Sequence, residues 1–269
     1  MKPDFDLDAD LALANRLADA AWSAIRPHFR ALASVDNKAG EGQRYDPVTE
    51  ADRAAERAMR EILAAERPHH GVTGEEFPET PSSSGWRWVL DPVDGTRAFV
   101  AGLPVWTTLI SLVDPLGFPL IGVIDQPVLG ERYIGWPGGA ALKTPTGQSP
   151  LRVSEVPSLG EAVISTTDPF ILTGPEHLAW TDLRNAARLA RYGLDAYAYA
   201  RLAGGTLHLV AETGLKPWDV AALIPVVTGA GGHATDWLGA PARLGGQVLC
   251  TASDKVMDQA LTLLRPAAI

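Results

Sequence analysis

The stretch from Trp86 to Leu112, WRWVLDPVDGTRAFVAGLPVWTTLISL, constrains this chain most, because it sets two carboxylates at the mouth of an apolar run. Trp86, Trp88, Val89 and Leu90 have the aromatic and aliphatic character of a short strand. Asp91-Pro92 is expected to halt that strand, since proline cannot donate a ladder hydrogen bond. Pro92 fixes one backbone angle and Gly95 relieves steric limits, so Asp91, Asp94 and the carbonyl of Val93 can converge on one point. Two anions held so close repel unless a cation or a proton lies between them. Thr96-Arg97-Ala98-Phe99 reads as a short helix whose first amides, Gly95 and Thr96, face an anion. Asp-Pro and Asp-Gly are also ordinary turn dipeptides, and the stretch alone leaves both readings open.

Composition narrows what such a point can act on. With 269 residues, 46% of them apolar, the chain can bury a full core as one unit of two closely packed lobes, 1–145 and 146–269. A formal charge of -9 without a basic run argues against nucleic acid and for a small substrate. Cys250 has no partner for a disulfide and lies in an apolar run, so it reads as packing in a reducing, cytoplasmic setting. Asp4, Asp6, Asp8 and Asp10 stand where a secretory signal would be basic, and no apolar segment reaches the ~20 residues of a membrane span.

Leu7, Leu11, Ala14, Ala18, Ala21, Ile25, Phe29 and Leu32 predict a long amphipathic helix that Pro27 bends or ends. Residues 33–46 are polar and read as an exposed loop or hairpin. Thr49 is placed to cap a second helix whose inner stripe is Ala55, Met59 and Ile62 or Leu63. Strands are expected over Val105–Val113, Leu120–Ile124 and Glu131–Trp136, in an antiparallel sheet, and turn residues cluster at 144–150. Beyond them strand and helix alternate: strands at 162–166, 207–212, 233–237 and 248–251, with helices at about 175–190, 197–202 and 220–227. The 220–227 helix is interrupted by Pro225, and a last helix is capped by Ser253. The class is mixed α and β in layers.

Acidic residues lie beside predicted element ends at four places: Asp52, Glu75 with Glu76, Asp91 with Asp94, and Asp219. All offer oxygen, which points to Mg²⁺ over zinc. His69-His70 reads as a solvated turn. Each acid also has a structural reading: Asp52 closes a capping box with Thr49, Glu75-Glu76 is a polar loop, and Asp219 caps a helix starting at Val220.

Together the words DPVTEAD (46–52), GEE (74–76), WVLDPVDGT (88–96) and WDVAA (218–222) resemble those of the inositol monophosphatase superfamily, which includes the fructose-1,6-bisphosphatases. DGTRAFVAGLPVWTTLISL and GLKPWDVAALIPVV are most similar to its bacterial histidinol-phosphate phosphatase branch. The resemblance implies a layered αβαβα sandwich, a homodimer, and a lithium-sensitive, Mg²⁺-dependent phosphomonoesterase with two or three ions. It assigns Glu75, Asp91 and the Val93 carbonyl to one metal, and Asp91, Asp94 and Asp219 to a second, with Glu75 also near a third. Asp52 and Thr96 would orient the attacking water, Gly95 and Thr96 would cradle phosphate, and Glu212 would contact the organic part of the substrate. Asp52, Glu75 and Thr96 are thus the catalytic set.

A phosphate monoester resists hydrolysis because its oxygens are anionic and its leaving alkoxide is poor; accelerations for the class reach ~10²¹. Paired metal ions address both problems, which favours direct in-line attack by water. Phosphatases of the haloacid-dehalogenase type instead form an aspartyl phosphate and need an acid two residues after the nucleophile. Here that position is Val93. Histidinol phosphate carries an amine and an imidazole, so Asp195 and Glu212 are candidates to bind them, and Arg97 faces either phosphate or a partner subunit. Where the branch reads close to GDCYAY, this chain has Leu194-Asp195-Ala196-Tyr197. Inositol phosphates, sugar phosphates and phosphorylated nucleotides are the alternative substrates, and a non-catalytic binding protein on this fold is the remote one.

Overall fold

Apolar residues at every third or fourth position build α1 (Leu7–Ile25), whose N-cap Asp6 accepts from the Ala9 amide at 3.1 Å and which ends just before Pro27. The computed structural model describes residues 5–31, 35–37 and 47–269. Strands β1 (Val35–Asn37) and β2 (Pro47–Thr49) pair antiparallel; of the loop or hairpin expected over 33–46, residues 33, 34 and 38–46 lie outside the described residues. Helix α2 (Glu50–Glu66) follows at once and buries Ala55, Met59 and Leu63 against α1.

Next comes a seven-stranded sheet: β3 (Gly71–Gly74), β4 (Arg87–Asp94), β5 (Thr107–Val113), β6 (Pro119–Gln126), β7 (Glu131–Trp136), β8 (Gly139–Thr144) and β9 (Gly147–Pro150), in sequence order. The five-residue helix α3 (Thr96–Val100) interrupts it between β4 and β5. All neighbours are antiparallel except β3 and β4. The β8–β9 hairpin straddles the 145/146 division, so this sheet closes at Pro150. Two expectations need correction. Asp91-Pro92 does not end β4: the strand runs on to Asp94 through a register shift between Asp91 and Asp94. Pro92 is tolerated because β3 pairs with β4 no further than Leu90, so no ladder bond is lost on that side. Nor is His70 solvated; it is buried, and its Nδ1 accepts from Trp88 Nε1 at 3.2 Å.

The second half supplies β10 (Val163–Ser165), α4 (Gly174–Ala186), β11 (Leu189–Arg191), α5 (Tyr197–Ala203), β12 (Leu209–Leu215), α6 (Pro217–Val220), α7 (Leu223–Gly229), β13 (His233–Thr235), β14 (Gly246–Thr251) and α8 (Asp254–Leu264). Its sheet has the order β11-β10-β12-β14-β13. The helix expected to reach Ala190 stops at Ala186, because Leu189–Arg191 pair in parallel with β10. The helix expected over 220–227 is two helices. It breaks at Ala221-Ala222, and Pro225 sits in the first turn of α7, where its missing N–H costs nothing.

Side-chain alternation stacks these parts. Ile110, Leu112, Ile121 and Val123 face α1 and α2, while Leu109 and Ile124 face α5 and α7. In the second sheet Val210, Val248 and Cys250 point to that same middle layer, and Leu209, Ala211 and Leu249 point to α4 and α8. The result is the αβαβα sandwich, with each sheet covered on both faces. Cys250 is fully buried, as its apolar run implied.

Helix α7 lies close on the first sheet because two of its strands carry glycine beneath it. A Cβ at Gly122 would sit 2.1 Å from the Ala222 carbonyl oxygen, and one at Gly135 2.2 Å from that of Pro225. Gly135→Ala should therefore lower unfolding free energy by about 2–4 kcal/mol, read by urea denaturation. Gly160→Ala, whose new methyl would have no neighbour nearer than 3.8 Å, should shift it by less than about 0.5 kcal/mol.

Candidate active site

At the end of β4 the register shift turns Asp91 and Asp94 toward one side. Asp91 Oδ1 accepts from the Val93 amide at 3.1 Å, and the freed Pro92 carbonyl accepts from Thr108 Oγ1 at 2.7 Å. Gly95 then takes a left-handed conformation (φ 84°, ψ 40°) to start α3, and Thr96 Oγ1 donates to the Val93 carbonyl at 3.1 Å. Asp94 Oδ2 is held by the Ala196 amide at 2.7 Å, at the head of α5. Asp219 does not cap a helix starting at Val220; it is the third residue of α6, and its Oδ2 reaches back to the Lys216 amide at 2.7 Å.

These bonds bring carboxylate oxygens of Asp91, Asp94 and Asp219 within 4.8 Å of one another. At an effective dielectric of about 20, each pair of full charges at that distance repels by about 3–4 kcal/mol. Burial pushes the Asp91 carboxyl well above its ordinary value, and the charges of Glu75, Asp94, Asp219 and Asp52 push it further. Burial and then Asp195 raise Asp94, against the pull of the Ala196 amide. Asp219 rises to about 7 by burial, opposed by the Lys216 amide and aided by Glu75. An all-oxygen donor set of this charge fits a hard divalent cation.

The three acids open on a cavity of about 300 Å³, lined also by Glu75, Val93, Gly95, Thr96, Asp195, Tyr199 and Glu212. Among the described residues no lysine or arginine lines it. A groove of about 550 Å³ elsewhere, beside Trp136 and Gly231, is lined by no carboxylate among the described residues. Glu75 enters from the end of β3. Its placement depends on Glu56 of α2, fully buried, whose Oε2 accepts from the Glu76 amide at 2.8 Å and whose Oε1 accepts from Arg60 Nε at 2.7 Å. A side chain at Gly74 would collide with Glu56.

Asp52 is not a lining residue. Its Oδ2 accepts from the Thr49 amide at 2.9 Å and from Thr49 Oγ1, so it caps α2 while its charge is felt by Asp91. Glu212 is buried against Thr166 and Thr167: Oε1 accepts from the Thr167 amide at 2.6 Å and Oγ1 at 2.9 Å, and Oε2 from Thr166 Oγ1 at 3.2 Å. Burial lifts it to about 7 despite those bonds. Asp195, half-buried with a positive φ of 46°, lies against Gly95; burial lifts it to about 6 and Arg97 pulls it down. Arg97 itself stands outside the lining, 3.9 Å from Asp168 and half exposed.

Glu56 and Tyr199 escaped the sequence reading. Glu56 had a signal, a charged residue four after Asp52 on the inner face of α2. Tyr199 had none, since Ala198, Tyr199 and Ala200 are all buried and show no helical period.

Comparison with known proteins gives one consistent picture. A family model described as the inositol monophosphatase family matches residues 6–267. The chain is 41% identical over 245 residues to the bifunctional phosphatase IMPL2, chloroplastic, of Arabidopsis thaliana, covering 88% of this chain and 66% of that protein. It is 36% identical to a histidinol-phosphatase of Chlorobaculum parvum, covering 91% and 92%. The solved structure of an inositol monophosphatase from Zymomonas mobilis superposes with a TM-score of 0.85 at 38% identity, covering 97% and 99%.

Glu212 makes the stability of the metal-free fold depend on pH. Its folded value of about 7 exceeds its ordinary 4.5, so between those values the fold holds a proton that the unfolded chain releases. In metal-free protein its contribution is therefore complete below pH 4.5 and is lost as pH rises through about 7, by an amount of the order of 3 kcal/mol. Urea midpoints between pH 4.5 and 8 should fall less steeply in Glu212→Gln than in wild type.

Proposed function

Since the chain belongs to the inositol monophosphatase family, whose members are metal-dependent phosphatases, we propose that it hydrolyses histidinol phosphate to histidinol and phosphate. The observation that carries this reading is the cluster of Asp91, Asp94 and Asp219 in a cavity that no cationic side chain lines among the described residues. A dianionic phosphate beside three carboxylates is repelled unless divalent cations accompany it. Glu75, Asp91, Asp94, Asp219 and the Val93 carbonyl would hold two or three Mg²⁺ ions, which when bound supply charge neutralisation and Lewis acidity for an in-line displacement. Thr96, its hydroxyl already fixed by Val93, and Asp52, whose charge is felt by Asp91, would help orient the attacking water. The amides of Gly95 and Thr96 take phosphate oxygens. Val93 offers no acid two residues after Asp91, which supports direct attack over an aspartyl phosphate.

Glu212 and Asp195 are carboxylates of the same cavity, and they match an ammonium and an imidazole on the leaving group. Arg97 acts at the rim, through Asp195 or Asp168. The likeness to the C. parvum histidinol-phosphatase supports the same substrate. The runner-up, an inositol monophosphatase, is favoured by the Z. mobilis structure. A cytoplasmic homodimer completes the reading.

Phosphate release should be measured from histidinol phosphate, inositol 1-phosphate, fructose 1,6-bisphosphate and adenosine 3′,5′-bisphosphate, with and without Mg²⁺. The expected result is Mg²⁺-dependent turnover fastest on histidinol phosphate; comparable rates on inositol 1-phosphate would overturn the narrower assignment. Asp94→Asn should lower kcat at least about a thousandfold without unfolding the chain, because it weakens a metal ligand and leaves packing alone. An undiminished rate would count against the mechanism.

A further inference from the structure

Asp52, Glu56 and Arg60 follow one another at four-residue spacing and so stack along one face of α2, a helix that otherwise buries Ala51, Ala55, Met59 and Leu63. The Glu56 side chain is fully buried, that of Arg60 is 16% exposed, and the two form an ion pair. Neither lines the cavity. A buried ion pair adds little net stability over apolar residues of the same volume, so its presence in this helix calls for another reason.

What the pair grips supplies that reason. Strand β3 ends at Gly74, in parallel register with Leu90, and the next residues on the two strands are Glu75 and Asp91. Beyond Gly74 the chain leaves the sheet, until the Thr80 amide and carbonyl pair with those of Val72 at 2.8 and 2.9 Å. Residues 75–79 between them lie outside any strand. Helix α2 holds them instead: Glu56 Oε2 accepts from the Glu76 amide, and Arg60 donates to the Phe77 carbonyl at 3.2 Å and to Thr80 Oγ1 at 3.0 Å. The guanidinium groups of Arg60 and Arg57 also lie 5.9 and 5.8 Å from the centre of the Phe77 ring. The Glu76 amide belongs to the peptide plane that contains the Glu75 Cα, so the bond to Glu56 fixes the base of the Glu75 side chain. On the other side, Glu56 packs so closely on Gly74 that a Cβ there has no room. Glu56 thus touches the backbone on both sides of Glu75, and Arg60 holds Glu56 in place.

Building on the metal site proposed above, we infer that Glu56 and Arg60 are positioning residues for it. They hold the Glu75 carboxylate to the bound cation through the backbone of residues 74–80, and themselves touch neither cation nor substrate. Contacts of this kind, made to a ligand and not to the metal, carry a large share of metal affinity.

Glu56→Gln keeps the volume, but its single carbonyl oxygen cannot accept from both Glu76 and Arg60, and its NH₂ group then faces a donor. Mg²⁺ alone should be titrated by calorimetry into metal-stripped wild type, Glu56→Gln, Glu75→Gln, the double variant and Gly135→Ala, a destabilised control whose change lies away from the cavity. At the site that Glu75→Gln weakens, Glu56→Gln should raise the dissociation constant about tenfold. On the Glu75→Gln background the same change should add less than about twofold, because the carboxylate it positions is gone. Gly135→Ala should stay within about twofold of wild type, which separates positioning from loss of stability. Where Glu56→Gln fails to fold, Arg60→Lys takes its place; it keeps a charge beside Glu56 without the fork that reaches Phe77 and Thr80, and should raise the constant about threefold. An unchanged constant in the tested variant, a loss that persists in full on the Glu75→Gln background, or an equal loss in Gly135→Ala would overturn the inference and leave the metal site standing. No effect of Glu75→Gln itself would remove Glu75 from the ligands and the inference with it, and wild type that takes up no Mg²⁺ would overturn the hydrolase reading as well.

Discussion

Mutual repulsion among Asp91, Asp94 and Asp219 is the constraint around which this molecule is built. Their oxygens lie within 4.8 Å, two of the three are only partly exposed, and Asp91 is buried. Each is tethered to a backbone amide: Asp91 to Val93, Asp94 to Ala196 and Asp219 to Lys216. Three such bonds orient the carboxylates but do not cancel their charge, since all three remain pushed toward protonation. A fold that spends stability to hold anions together is organised for a cation.

The layers explain how those tethers are kept rigid. Asp91 and Asp94 lie on either side of an irregularity in a strand whose neighbour β5 is buried along its whole length. Asp94 and Asp219 are fixed by residues from the second half of the chain, and α7, just after Asp219, is clamped to the first sheet through Gly122 and Gly135. Ser111 Oγ, donating to the Ala221 carbonyl at 3.1 Å, ties the same junction. The site therefore depends on the two halves docking in one register, which makes the middle layer of the sandwich part of the active site.

Much of this was legible in the sequence, and the reason differs by element. Helices α1, α2 and α8 announce themselves by apolar period and caps, and Glu131–Trp136 by its flanking turns. The acids were legible as well, because four separated acidic places coincide with the words DPVTEAD, GEE, WVLDPVDGT and WDVAA, whereas Asp-Pro and Asp-Gly alone read equally as turns. What was hidden depends on tertiary pairing. Pro92 seemed to end a strand, since the sequence cannot tell that β3 stops at Leu90. Leu189 and Ala190 looked helical until a parallel partner claimed them. Glu56 and Tyr199 read as helix residues among others, and their importance appears once Glu76 and the cavity are in place around them.

Calorimetric titration of Mg²⁺ into metal-stripped protein, paired with thermal unfolding, tests the central claim most directly. The account predicts saturable uptake of at least two ions and, at about a hundredfold excess over the dissociation constant, a rise in melting temperature of about 5 °C or more. Heats no larger than dilution with an unchanged melting temperature would contradict it.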